Sequence, residues 1–265
     1  MKVSLIITTY NRPDALNLVL KSALAQKRLP DEIVIADDGS GEETKELIQH
    51  LAQKSPVPIL HAWQEDKGFR AAMARNRAIA LSSGEYIVMI DGDMVLHHSF
   101  IEDHLTAAER GCFVQGGRVL LDKKATEKAI RESRWNFSIF SSGIKNRKNM
   151  FRYKLLKRVF GGKSRNLEGI RTCNSSLFRE DIFAVNGFDN RFVGWGREDS
   201  EFAARLLNRG LLRKNIKFSA IAFHLYHREN ERTYLPENDK RLQDTLENKS
   251  VRCNDGIDRF AEEPS

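Results

Sequence analysis

The sequence predicts an α/β fold: a mostly parallel sheet flanked by helices, holding a ligand at the carboxyl ends of its strands. Three observations lead there. Short runs rich in Val and Ile, KVSLIITT at 2–9, EIVIA at 32–36 and IVMI at 87–90, alternate with stretches whose apolar residues recur at helical spacing. Each run ends in polar residues, at Thr8 to Tyr10, Asp37 to Ser40 and Asp91 to Asp93, where sheets of this kind receive their ligands. At 265 residues and 30.3 kDa, the chain can also bury a sizeable core.

The elements follow in order. Residues 2–9 form the first strand, which Tyr10-Asn11-Arg12-Pro13 breaks; Pro13 suits the first turn of a helix, where its missing N–H would have no partner anyway. Leu16, Val19, Leu20, Ala23 and Leu24 make one apolar stripe on that helix. A second strand at 32–36 leads to a helix over 42–53 with Leu47, Ile48 and Leu51 on one side, and PVPIL at 56–60 reads as a third strand. Gly68-Phe69-Arg70 opens a third helix with Arg70, Arg75, Asn76 and Arg77 near its start. Cations there oppose the helix dipole, so either a nearby anion or a solvated basic face accounts for them. After Gly84 stops this helix, 85–93 (EYIVMIDGD) reads as the central strand, buried on both faces. In Asp91-Gly92-Asp93 the carboxylates are two apart, so on an extended chain they leave the same face, and Gly92 admits a ligand close to the backbone. Such a pair suits Mg²⁺ or Mn²⁺ and, through it, a diphosphate; the spacing alone fits a solvated turn equally well. A helix over 99–110 and a strand over 112–121 complete this half.

Beyond it, 143–167 carries Lys145, Arg147, Lys148, Arg152, Lys154, Lys157, Arg158, Lys163 and Arg165 with aromatic and aliphatic residues between them and no acidic residue until Glu168. This is either a loop on the acceptor side or a basic amphipathic segment resting on an anionic membrane, and the second reading is preferred. In Gly194-Trp195-Gly196 a flexible turn bears a large aromatic plane, and Glu198-Asp199 opens a helix stabilised at its start by those carboxylates. AIAFHLYH at 220–227 is strand-like with two histidines, and the tail from Asn254 reads as frayed.

Composition narrows the classes. The hydrophobic content of 41% and charged content of 30% are those of a globular protein, and no apolar run approaches bilayer-spanning length. MKVSLIITTYNRP is too short in its apolar stretch for a signal peptide, so a cytoplasmic location is expected. Cys112, Cys173 and Cys253 imply neither a disulfide framework nor a zinc site. A net charge of +7 points to an anionic partner without choosing among nucleotide, membrane and nucleic acid. Neither a dinucleotide-binding glycine fingerprint nor a phosphate-loop lysine follows the first strand.

Taken together, TTYNRP, IADDGS, GEYIVMIDGD, NGFDNRFVGWGREDSEF and FHLYH resemble, in this order, the family 2 glycosyltransferases of the GT-A fold. The later stretches are similar to the acceptor-side segment of chondroitin polymerase domains, β-1,4-galactosyltransferases and polypeptide GalNAc-transferases. The resemblance implies one GT-A domain over 1–234, with a nucleotide-sugar half at 1–120, an α+β acceptor half at 121–234, and a C-terminal extension at 235–265. It implies an inverting enzyme that moves a hexose or N-acetylhexosamine from a UDP-sugar to a glycan or lipid-linked glycan, in bacterial lipopolysaccharide, O-antigen or capsule synthesis. By the same resemblance Thr8, Tyr10, Arg12, Asp38, Arg70, Arg75 and Asp91 surround the nucleotide-sugar, Asp93 and His224 hold Mn²⁺ (or Mg²⁺), Trp195 and Glu198 hold the acceptor, and Asp199 is the base. His227 is the alternative to His224. Two rivals fit less well: a sugar-nucleotide pyrophosphorylase would need a glycine-rich loop near the amino terminus, and a nucleic-acid or carbohydrate binder leaves the acidic set without a purpose.

Overall fold

A computed structural model of the chain describes residues 1–152, 162–228 and 231–260. The amino-terminal half alternates strand and helix: β1 (Val3–Thr9), α1 (Pro13–Leu24), β2 (Glu32–Asp37), α2 (Glu42–Lys54), β3 (Ile59–Trp63), α3 (Ala71–Leu81) and β4 (Tyr86–Asp91). In the order β3-β2-β1-β4 these strands are all parallel. The register sets Thr8 opposite Ala36 on one side and Asp91 on the other, so the polar strand ends share one edge. Their apolar runs are continuous because both faces are covered. Leu5, Ile7, Val88 and Ile90 enter the core beneath α1 and α2, while Ile6, Ile87 and Met89 enter a second core beneath α3.

The chain continues through β5 (Met94–Leu96), α4 (Phe100–Ala107), β6 (Cys112–Gln115), β7 (Val119–Leu121), α5 (Lys123–Arg131), β8 (Ile144–Lys145), β9 (Lys163–Ser164), β10 (Asn174–Phe178), α6 (Arg179–Ala184), α7 (Glu198–Asn208), β11 (Leu212–Asn215), β12 (Ala222–His224) and α8 (Leu235–Glu247). β10 pairs antiparallel with β4 and extends the large sheet through β6 and β11 to β9. A second sheet, β5-β12-β7-β8, stands beside the end of β4.

Several expectations need correction. The strand expected over 112–121 is two strands in two sheets, divided at Gly116-Gly117, where Gly116 N–H donates to the Asn174 carbonyl. The third strand lies at Ile59–Trp63 rather than 56–60, because Pro56 and Pro58 have no N–H for a ladder. Of 220–227 only Ala222–His224 is strand. The tail is not frayed through residue 260: Ile257 and Phe260 are buried, and Asn186 accepts from Ile257 N–H and Asp258 N–H and donates to the Cys253 carbonyl. α8 packs on α7, with Thr245 donating to Glu201 at 3.0 Å.

The basic segment also looks different in three dimensions. Arg152 pairs with Asp103 at 3.0 Å, Lys163 with Glu109, and Arg165 donates to the Leu207 carbonyl. Its missing carboxylates therefore come from α4 and the loop after it. Lys145 and Lys148 remain exposed, and Lys154, Lys157 and Arg158 lie outside the described residues.

Candidate active site

The site is built where β1, β2 and β4 end. At the tip of β2, Asp38 is buried, accepts from Arg70 N–H at 2.7 Å and Gln64 Nε2 at 2.6 Å, and is pushed up to about 6 by that burial. Arg70 thus serves Asp38 through its backbone, while its guanidinium turns to the Glu65 carbonyl and Met73. Tyr10, 46% exposed, donates its hydroxyl to Asp66 at 2.8 Å and leaves its ring at the surface.

At the tip of β4 the chain turns. Gly92 N–H donates to the Thr8 carbonyl at 2.7 Å, and a Cβ on Gly92 would stand 2.9 Å from that same oxygen, so the close approach of the two strand ends requires glycine. The turn gives the two carboxylates different partners, contrary to the extended-chain reading. Asp91 pairs with Arg75 Nη2 at 3.1 Å. Asp93 faces Arg12 Nη1 at 3.5 Å, His224 Nε2 at 3.7 Å and His227 Nε2 at 3.4 Å.

Strand pairing brings the histidines in. β12 runs against β5, opposing His224 to Met94, and Leu225 N–H closes on the Asp93 carbonyl at 2.9 Å. Ligand atoms of Asp93, His224 and His227 all fall within 4.8 Å of one another. The donor chemistry fits a divalent ion. Asp93 Oδ1 is buried with no hydrogen-bond partner. Burial, with the Arg118 charge and His227 adding to it, takes His224 down to about 4 and keeps its imidazole neutral. His227 Nδ1 lies 2.6 Å from the Arg228 carbonyl, which can only accept, so in the neutral ring the proton sits on Nδ1 and Nε2 presents its lone pair to Asp93. His224 and His227 are therefore joint candidates rather than alternatives.

The next residues of the site come from the start of α7 and the turn before it. Gly194, at φ +73°, lies so close to the Tyr234 ring that a Cβ would stand 2.4 Å from it, which fixes the turn bearing Trp195. Trp195 is 39% exposed with the Arg232 guanidinium over its ring. Glu198 and Asp199 open α7 beside Arg75, at 3.5 and 3.4 Å from its Nη1. Asp199 is held further by Thr172, whose N–H donates to Oδ2 at 3.0 Å and whose hydroxyl donates to Oδ1. Burial and the neighbouring Asp199 push Glu198 up to about 7 against the pull of Arg75.

Arg75 is the piece the sequence undervalued. Its guanidinium is buried and touches Thr8, Asp91, Glu198 and Asp199, joining residues far apart in the chain. Thr172 had no sequence signal at all, since a lone threonine in a loop has no pattern around it. The result is a cluster at the strand ends with two unlike sides: Asp93 beside Arg12, His224 and His227, and the carboxylates of Asp91, Glu198 and Asp199 around Arg75.

Residues 4–183 match the family model described as Glycosyl transferase family 2, more than half of the chain. The chain belongs to glycosyltransferase family 2. Residues 158–228 match a second model, the N-terminal domain of galactosyltransferase. Among relatives, the chain is 25% identical to a chondroitin synthase of Escherichia coli over 84% of its own length and 34% of the relative's, and 27% identical to a hyaluronan synthase of Pasteurella multocida over 84% and 24%. It thus spans about a quarter to a third of these relatives. A crystal structure of S. aureus TarS 1-349 in complex with UDP-GlcNAc superposes with a TM-score of 0.65 at 16% identity, covering 99% of this chain and 71% of that one. The fold is GT-A. No helix among the described residues is long and apolar enough to cross a membrane.

Proposed function

We propose that this family 2 chain is an inverting, metal-dependent enzyme that transfers a hexose or N-acetylhexosamine from a UDP-sugar to a hydroxyl of a glycan or lipid-linked glycan, forming a β-linkage in bacterial lipopolysaccharide, O-antigen or capsule synthesis. The observation that carries this reading is that two-sided cluster, with Asp93 beside Arg12 and two histidines and Asp199 held by Arg75 and Thr172. In-line displacement at an anomeric carbon needs positive charge where the nucleoside diphosphate leaves and a proton acceptor where the hydroxyl enters, and the two sides supply these separately. A UDP-sugar donor agrees with the UDP-GlcNAc in the TarS crystal, and a glycan acceptor with the two polysaccharide synthases among the relatives.

In this reading Tyr10 packs on the base, Asp38 accepts a hydrogen bond from the uracil ring, and Asp91, held by Arg75, meets the ribose. Asp93, His224 and His227 hold Mn²⁺ or Mg²⁺, which supplies Lewis-acid neutralisation of the diphosphate. Trp195 stacks on the acceptor sugar and Glu198 hydrogen-bonds it. Asp199, oriented by Thr172 and Arg75, takes the proton from the attacking hydroxyl. Work at the cytoplasmic face of an anionic membrane fits the exposed Lys145 and Lys148 and the 88% exposed Phe140 nearby.

The test is a panel of UDP-glucose, UDP-galactose, UDP-GlcNAc and UDP-GalNAc with Mn²⁺, read by thermal shift and by released UDP, with the anomeric configuration of any product taken from NMR. One donor should raise the melting temperature in a metal-dependent way and turn over to a β-product. Absence of any UDP-sugar response would defeat the proposal.

A further inference from the structure

The loop between β3 and α3 folds back over the tip of β2 and reaches both residues that the donor reading assigns to the base. A Cβ on Gly39, at φ +101°, would stand 2.5 Å from the Asp66 Cα, so the two stretches of backbone touch. Gln64 N–H donates to the Asp37 carbonyl at 3.2 Å, and Asp66 accepts from the Tyr10 hydroxyl at 2.8 Å and from Gly68 N–H at 3.1 Å. Gln64 itself is 5% exposed. Its Nε2 lies 2.6 Å from Asp38 Oδ1 and 3.4 Å from the Arg70 carbonyl, while its Oε1 is buried with no hydrogen-bond partner.

The donor end of this amide is thus satisfied twice and the acceptor end not at all. A buried acceptor left unpaired is destabilising, and an aliphatic side chain would fill the same space without that cost, so the glutamine is held here for what its N–H groups do. They grip Asp38. With Gln64 Nε2 on one oxygen and Arg70 N–H on the other, the ionised carboxylate has only lone pairs left to offer a ligand. Burial favours the neutral acid at Asp38, as does the charge of Asp66, whereas the N–H groups of Arg70 and Gln64 and the Arg70 charge favour the carboxylate. The other ionisable groups beside it are engaged elsewhere, Asp37 with His61 at 2.8 Å and Tyr10 with Asp66.

We propose that Gln64 is a positioning residue for base recognition: by donating to Asp38 it keeps that carboxylate turned to the base as an acceptor, and so selects uracil, whose ring N–H donates, over cytosine, whose corresponding nitrogen accepts. The inference rests on the reading of this site as one for a UDP-sugar. Without the Gln64 donor, Asp38 takes up a proton more readily, and a protonated Asp38 suits the bare ring nitrogen of cytosine rather than the N–H of uracil. Loss of Gln64 therefore narrows the preference for uracil as well as weakening binding.

Isothermal titration of the full chain with UDP and with CDP in Mn²⁺, either side of the Asp38 value of about 6, tests this. Both ligands carry the same diphosphate, so the ratio of their affinities reports on the base alone. At about pH 7.5 wild type should prefer UDP by about 100-fold, and the preference should shrink at about pH 5. Gln64→Met, which fills the space without a donor, and Gln64→Glu, which replaces the donor with a second carboxylate, should each weaken UDP by about 10- to 100-fold at about pH 7.5 and change CDP far less. Equal losses for the two nucleotides would mark a packing role and overturn the proposal, as would a UDP-to-CDP ratio that both variants leave unchanged. Failure of wild type to bind UDP, or equal affinity of wild type for UDP and CDP at about pH 7.5, would instead overturn the donor reading beneath it.

Discussion

Glu198 sits where its carboxylate is least comfortable, and replacing it with glutamine should make the protein more stable and less active. The side chain is 12% exposed and shares Arg75 with Asp91 and Asp199, and burial with the nearby Asp199 raises it from 4.5 to about 7. Between those values the folded protein keeps a proton that the unfolded chain releases, so wild-type stability falls as pH rises from about 4.5 to 7 and then levels off. At about 1.4 kcal/mol per pKa unit, the gap corresponds to roughly 3 kcal/mol. Glu198→Gln keeps the shape and removes the titration. At pH 8.5 it should exceed wild type by about 3 kcal/mol in urea unfolding, or about 6 to 12 °C in melting temperature, and the difference should vanish near pH 4.5. Turnover should fall although the fold is firmer, the pattern of a residue kept for function. A variant less stable than wild type at pH 8.5, or a difference that does not change with pH, would refute the reasoning.

Other outcomes follow from the same geometry. Arg75→Ala leaves three carboxylates facing one another and should cost about 3 to 5 kcal/mol in urea unfolding; a loss below about 1 kcal/mol would mean that the guanidinium does not tie the end of β4 to α7. Asp199→Asn should lower turnover by about 10²- to 10⁴-fold while titration calorimetry shows UDP binding intact, and near-normal turnover would remove Asp199 from the role of base. Asp93→Ala should abolish the Mn²⁺-dependent part of UDP binding, and His227→Ala should weaken it by about ten-fold or more. Full wild-type activity in excess chelator would contradict the metal site altogether.

Much of this was open to reading in the chain alone. The strands β1, β2 and β4 and the helices α1 and α2 announce themselves through local patterns, because strands buried on both faces must be apolar throughout and the helices between them need one apolar side, whereas the edge strand β3, half-exposed, was placed three residues early. The positions of Asp38, Asp91, Asp93, Glu198 and Asp199 at strand ends and a helix start were legible because these are local features with local sequence marks. The extent of 112–121 was misread because nothing local says that two glycines carry the chain from one sheet into another. The basic run at 143–167 seemed unbalanced because Glu102, Asp103 and Glu109 reach it only in the folded protein.

The sequence by itself determined the α/β layering, the polar edge and the residue types that gather there, since these depend on periodicity and on neighbours a few positions apart. Only the tertiary structure decided that His227 joins His224 on Asp93, that Arg75 ties Asp91 to the α7 carboxylates and that Thr172 orients Asp199. Those contacts join residues tens of positions apart, often more than a hundred, and form once β10, β12 and α7 close on the end of β4.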